Sequence, residues 1–388
     1  MAAVLRLYGT LIVLLFSAVS VSDASTRKLS VQLNPGAVAP PTGGDLLHVR
    51  AEGHNDTLHF LLCSQGAPTL LLVHTNDSSS SVSVNWPLFL SRNASGSLQV
   101  EPASSILSSA ALVFSRLLEY NDINNTAEVT SDLFSPYELH NVSWSRMQLS
   151  GASARLCGAV AGGSVCVHLS VFESEGRAEM WPRLLHTANS SQIEVWLDSL
   201  SPRAARSRFL LELQAVGGAY ALNRVEVHRS IDDEFTPSIF KVSQWLSADD
   251  DSSHGQGFVL WKPVAYRHLL PALEDATPCR HSDPRPLEGE AVAAVSGLVR
   301  AFFTKEEAYG LNVSFGLAGQ PFYNSTKFLS WTALVGVGLA PADTFSPLVL
   351  TIMAVGLGTP LVILMMGGVY VGTRRRLASL ATSYEPIN

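Results

Sequence analysis

The stretch TLHFLLCSQGAPTLLLVHT, Thr57–Thr75, holds two short apolar runs, Thr57–Leu62 and Thr69–Thr75, closed off by Gly, Asn, Asp and Ser. Runs this short, bounded by turn-forming residues, predict strands rather than helices. Working outward, Leu46–Arg50 has the same form, and SVSVNW at Ser81–Trp86 alternates with the period of a strand that buries one face. Ser104–Tyr120 fits either helix or strand, with Val113, Phe114 and Tyr120 compatible with both. Asn121–His140 is polar and acidic, carries a Pro, and reads as a lid or boundary segment. Beyond it, Val165–Phe172, Gln192–Leu197, Phe209–Val216 and Arg224–His228 continue the strand pattern, while Ser247–Gly257 and Thr277–Gly289 read as loops. Near the end of this region Asn312 and Ser314 fall on one strand face and Val313 and Phe315 on the other, so that a glycan at Asn312 is expected to face solvent as the apolar pair packs inward. The expected fold is mainly β, a β-sandwich-like body in two layers or two β-domains, with β-rich regions at 25–140 and 141–346.

The two ends read differently. Arg6 precedes the apolar run Leu7–Val21, and small residues stand at Ser20, Ser22 and Ala24, the pattern of a secretory signal peptide over 1–24. Leu348–Val371 is 24 consecutive residues without a charged side chain. As a helix it would reach roughly 36 Å, enough to cross about 30 Å of hydrocarbon. This places a transmembrane helix at 347–372 and a tail at 373–388. Arg374, Arg375 and Arg376 follow the apolar run at once, whereas Asp343 stands upstream. The positive-inside bias therefore puts the C-terminus in the cytosol and the β-rich body in the lumen, the type I topology that a signal peptide also demands.

Sequons supply a separate indication of orientation. The Asn-X-Ser/Thr pattern begins at Asn55, Asn76, Asn93, Asn124, Asn141, Asn189, Asn312 and Asn324, all before the apolar span. The chain has fourteen asparagines, and chance would start about two such triplets among them; the excess marks a glycoprotein. Asn189 sits just before a predicted strand, where access is poorer. The net charge of −7 with scattered positive residues gives no nucleic-acid footprint. Four cysteines in an oxidising compartment allow two disulfides in three arrangements. Cys157 and Cys166 flank a Gly-rich turn and suit a hairpin bridge, which leaves Cys63 with Cys279.

Catalytic and metal chemistry find weak support. Asp232, Asp233 and Glu234 form the most suggestive acidic group, but adjacent residues on an extended chain point to opposite faces, so only Asp232 and Glu234 converge. Asp249–Asp251 lacks the ligand spacing, central Gly and terminal Glu of a calcium loop. His48, His54, His59 and His74 cluster among the first strands without an HExxH zinc pattern, and no GxSxG elbow is present. Histidines here are candidates for tuning stability or partner binding with pH. No cofactor is called for. A luminal hydrolase and a pH-dependent ligand-binding receptor stand as the rival readings to a non-catalytic partner subunit.

In the tail, Tyr384, Glu385, Pro386 and Ile387 form a tyrosine, two residues and a bulky apolar residue, suited to extended-peptide capture by a clathrin adaptor. Together with LLHVRAEGHNDTLH (Leu46–His59), SVNW (Ser83–Trp86), ALVFSRLLEY (Ala111–Tyr120), RLLHTA (Arg183–Ala188), RSIDDEFTPSIF (Arg229–Phe240), WKPVAY (Trp261–Tyr266), LSWTALVGVG (Leu329–Gly338) and the terminal YEPIN, the chain resembles the glycosylated lysosomal membrane protein family. That resemblance implies a β-rich, glycosylated luminal domain and an accessory role. The implied partner is a major-facilitator transporter of the lysosomal membrane that exports dipeptides and lacks a glycan coat of its own. The chain would bind it through the luminal domain and the single helix and shield it from luminal proteases; self-association as a homo-oligomer is left open.

Overall fold

The computed structural model describes residues 26–91, 94–129, 133–217, 221–230, 240–247, 257–304, 307–342 and 347–381. Asp23–Ala342 is one compact unit, and the helix Pro347–Ala381 belongs to a second.

The β-body is two antiparallel layers. In one, the strands run side by side in the order Lys28–Leu33, Leu46–Glu52, Thr57–Cys63, Thr69–Thr75, Ile106–Asn121, Ser207–Gly217 and Glu307–Phe315. In the other the order is Gln148–Ser150, Ser153–Val160, Gly163–Val171, Ser190–Asp198, Phe328–Val337, Gly257–Trp261, Lys241–Ser247 and Leu222–Arg229. Ala276–His281 joins them at one corner, pairing with Glu307–Phe315 on one side and with Val264–Tyr266 on the other. The central pairing of Ile106–Asn121 with Ser207–Gly217 crosses residue 140, so regions 25–140 and 141–346 share one body, and the two-layer arrangement is the one realised.

Between the layers lies the main core. Phe60, Phe114, Leu211 and Val313 from one layer meet Val167, Ile193, Trp245, Trp261 and Trp331 from the other. A second core covers the outer face of the first layer, where Leu61, Leu71, Val73, Val113 and Val216 pack under Trp86, Phe89, Val292 and Leu298. Those last residues come from the short helices Trp86–Phe89, Gly289–Val295 and Gly297–Phe302. Thr57–Cys63 is therefore buried at every position, which is why its sequence runs apolar throughout instead of alternating.

Gly66 in the turn after that strand has φ +81°, and a Cβ there would stand 2.4 Å from the Val295 carbonyl oxygen. The close approach lets Ala67 N–H donate to Val295 O at 2.9 Å and Gly297 N–H to Gln65 O at 2.9 Å, tying the turn to the helical cover. The segment Thr277–Gly289, expected to be a loop, instead supplies strand Ala276–His281, strand Arg285–Leu287 and the first residue of a helix. Its Pro, Asp and Ser residues suit edge pairing and a tight turn as well as they suit a loop.

In the second unit Pro347–Ala381 is a 35-residue helix with Pro360 inside it. Its segment Thr351–Ser379 is long and apolar enough to cross a membrane, the one such helix among the described residues. The helix continues past the predicted end at residue 372 and carries Arg374, Arg375 and Arg376 as exposed residues on its last turns.

Candidate functional site

A sequon asparagine can carry sugar only where its side chain reaches solvent. Asn55 lies in the turn between Leu46–Glu52 and Thr57–Cys63, Asn76 just after Thr69–Thr75, and Asn124 in the turn after Ile106–Asn121; all three are exposed. Asn141 closes the short turn Leu139–Asn141 and Asn324 sits within Tyr323–Ser325, both exposed. Asn55 and Asn76 share one end of the sandwich, because Thr57 pairs with Thr75, whereas Asn124 follows the opposite end of the same layer.

Two sequons differ. Asn312 lies mid-strand opposite Glu212 and is half-buried, with its Oδ1 enclosed and unpartnered; Val313 and Phe315 face the core as the alternation requires. Asn189 is half-buried, and its Oδ1 accepts from Arg27 Nε at 2.9 Å. Asn93 lies outside the described residues.

Arg27 is the centre of a clasp between the layers. Its guanidinium donates to both Asp56 oxygens at 3.0 and 2.6 Å, its backbone N–H donates to Glu173 O at 2.8 Å, and His74 Nε2 meets Asp56 Oδ2 at 3.0 Å. Burial by itself would raise the Asp56 pKa, but the hydrogen bonds from His74 and Arg27 outweigh it and hold the carboxyl well below the usual carboxylate range.

The four clustered histidines separate into three settings. His48 and His59 form a buried, hydrogen-bonded pair, Nε2 to Nδ1 at 3.0 Å. His74 joins the Asp56 clasp, and His54 is exposed in the Asn55 turn. Burial, with the Arg50 charge adding to it, pushes His48 down to about 4; burial, His48 and Arg50 together push His59 down to about 3.

Buried acids that sequence reasoning did not single out are each held by partners. Asp122 binds Arg208 Nε at 2.6 Å with both side chains buried. Glu212 takes Ser115 Oγ at 2.9 Å and Arg285 at 2.8 Å. Glu119 accepts from Arg203 N–H at 2.6 Å and Tyr137 Oη at 3.2 Å, and Asp45 from Arg146 at 2.6 Å. The only hint in the sequence was a set of charges inside otherwise apolar strand patterns. Such paired groups hold a fold together and offer no free acid or base. Asp232, Asp233, Glu234, Asp249–Asp251 and the tail residues Tyr384, Glu385, Pro386 and Ile387 lie outside the described residues. Among the described residues no group of three His, Cys, Asp or Glu is placed to hold a metal ion.

Cys157 and Cys166 face each other across the hairpin Ser153–Val160/Gly163–Val171 and form a disulfide. The second expected bridge is not made: Cys63 and Cys279 are free and buried. The reason is topological. Cys63 packs in the outer core of the first layer, while Cys279 packs in the core between the layers. Burial pushes the Cys63 thiol up to about 12 and raises Cys279 as well, so neither is a nucleophile.

Residues 45–378 match the glycosylated lysosomal membrane protein family. The chain is 52% identical over 384 residues to the glycosylated lysosomal membrane protein of Danio rerio, with 94% of this chain and 93% of that one covered. It is 38% identical over 384 residues to glycosylated lysosomal membrane protein B of Xenopus laevis, with the same coverage. Against the Homo sapiens protein the identity is 37% over 379 residues, covering 94% and 91%.

Proposed function

We propose, from the premise that this chain belongs to the glycosylated lysosomal membrane protein family and is a lysosomal membrane glycoprotein, that it is a non-catalytic accessory subunit. It binds a major-facilitator dipeptide transporter of the lysosomal membrane and protects it from luminal proteolysis. The β-body lies in the lumen, the helix spans once, and the tail, with Arg374–Arg376 at the membrane face and Tyr384–Ile387 for a clathrin adaptor, lies in the cytosol.

The observation that supports this reading most is the spread of exposed acceptor asparagines, Asn55, Asn76, Asn124, Asn141 and Asn324, over a rigid two-layer body. Bulky hydrophilic sugars there obstruct access to backbone beneath and beside them. The apolar helix supplies the membrane contact, and its small residues Gly356, Gly367 and Gly368 permit the close approach of a neighbouring helix. A partner held in its folded state is cleaved less, because binding lowers the population of open, cleavable conformers.

The test is capture of the intact protein from lysosomes in mild detergent, followed by pulse-chase of the transporter in cells lacking this chain. Stoichiometric co-purification and a shortened transporter half-life, restored by lysosomal protease inhibitors, are expected. An unchanged half-life with failed transport would replace shielding by a direct part in the transport cycle.

A further inference from the structure

Two spaces inside the β-body hold only about 10 and 20 Å³, room for a water at most. A groove at the corner where the two layers join is of another kind: it holds about 490 Å³, within the range that encloses a small organic ligand.

Its walls are built rather than accidental. Trp181 stands edge-to-face with the buried Tyr266 at 6.0 Å and 62°. The Arg183 guanidinium lies 5.4 Å from the centre of the Trp181 ring, and the Trp181 carbonyl accepts from Thr332 Oγ1 at 3.4 Å. On the floor, buried Thr277 donates to Gln320 Oε1 at 2.9 Å and fixes that carboxamide. Phe240 and Leu273 complete the apolar lining while remaining 57% and 61% exposed. The loop bearing Leu273 is clamped, with Arg267 N–H donating to Asp275 O at 3.0 Å and Ala272 N–H to Asp275 Oδ2 at 2.8 Å. Leu270, 87% exposed on that same loop, extends the apolar surface beyond the groove.

The charge pattern narrows the ligand. Among the described residues Lys241 is the one charged residue in the lining and no carboxylate lines the groove, and Lys241 forms no ion pair among them. A cation at the edge of an aromatic and aliphatic trough favours a molecule with an apolar body and one negative head.

We propose that this groove binds an amphipathic organic anion, its apolar body lying against Trp181, Tyr266, Phe240 and Leu273 and its head at Lys241. The proposal is independent of the transporter reading.

The test is photo-crosslinking of the full chain in lipid nanodiscs with a diazirine-bearing alkyl sulfonate, set against the same chain ending in trimethylammonium, with the adducts mapped by peptide mass spectrometry. The sulfonate should label the peptides holding Trp181, Phe240 and Leu273 at least tenfold more than the ammonium probe, and excess decanesulfonate should suppress it. Lys241 is exposed, so its variants should fold: Lys241→Glu should abolish the labelling and Lys241→Arg should keep it. Equal labelling by both head groups, labelling unmoved by Lys241→Glu, or competition by neutral chitobiose and not by decanesulfonate would each overturn the assignment, the last in favour of a saccharide site.

Discussion

His48 Nε2 and His59 Nδ1 lie 3.0 Å apart inside the first layer, and the chain of contacts runs on from His59 Nε2 to Ser80 Oγ at 2.9 Å and from there to Thr75 Oγ1 at 2.7 Å. One proton fits between the two rings. A second would set N–H against N–H beside the Arg50 charge, with both rings buried.

The pair consequently makes the fold sensitive to acid. Folded values of about 4 and about 3 lie below the ordinary 6.5. The unfolded chain therefore takes up protons as pH falls from 6.5, while the folded chain does not until nearer 4 and 3. Stability from the pair is complete above pH 6.5 and declines through that window, by about 2 kcal/mol per histidine at pH 5. His48→Gln with His59→Gln should shrink the difference in urea midpoint between pH 7 and pH 5. An unaltered difference would assign the acid sensitivity to other groups.

Much of this β-body was legible because most strands are short and bounded by turn residues: Thr69–Thr75 stands as read, and Ser190–Asp198 and Ser207–Gly217 differ from expectation by one or two residues at each end. Ile106–Asn121 was ambiguous for a physical reason. It is buried against both cores and carries a register shift opposite Glu212/Leu213, so neither period 2 nor period 3.6 survives in its sequence. The groove was not legible at all. Its lining comes from segments as far apart as Trp181 and Gln320, and nothing local marks residues that meet only through the joining of two layers.

Cysteine chemistry gives a second test. The Cys157–Cys166 bridge closes a loop of sequence separation 9, worth about 2–3 kcal/mol by chain entropy. Cys63 and Cys279 should be silent to a thiol reagent in the native protein and both should react in denaturant without reductant. A count of zero thiols after unfolding would mean that they are bridged.

Glycan occupancy should follow exposure. Site-resolved glycopeptide mass spectrometry should find sugar at Asn55, Asn76, Asn124, Asn141 and Asn324 and leave Asn189 and Asn312 largely bare. Asn189→Ala removes the acceptor for Arg27 Nε and should lower stability by about 1 kcal/mol, whereas Asn55→Gln should leave the urea midpoint in place. A fully glycosylated Asn189 with no stability effect would contradict the clasp.

Two substitutions should separate folding from sorting, since both deplete the lysosome of this chain by different routes. Asp122→Ala leaves the Arg208 guanidinium buried without its carboxylate, 2.6 Å from where the charge had been, and removing one partner of a buried pair costs about 3–5 kcal/mol. That is a large part of the stability of a domain, so this variant should stall early in the secretory route with glycans still sensitive to endoglycosidase H. Tyr384 lies in the tail, beyond the helix Pro347–Ala381 in sequence and outside the β-body. Tyr384→Ala should therefore acquire mature, resistant glycans and accumulate at the cell surface, where biotinylation detects it. Lysosomal delivery of Tyr384→Ala at the wild-type level would remove the tail motif from the sorting mechanism and leave that task to a signal on the partner. The same variant in cells without the transporter tells those two cases apart, because a borrowed signal disappears with its owner.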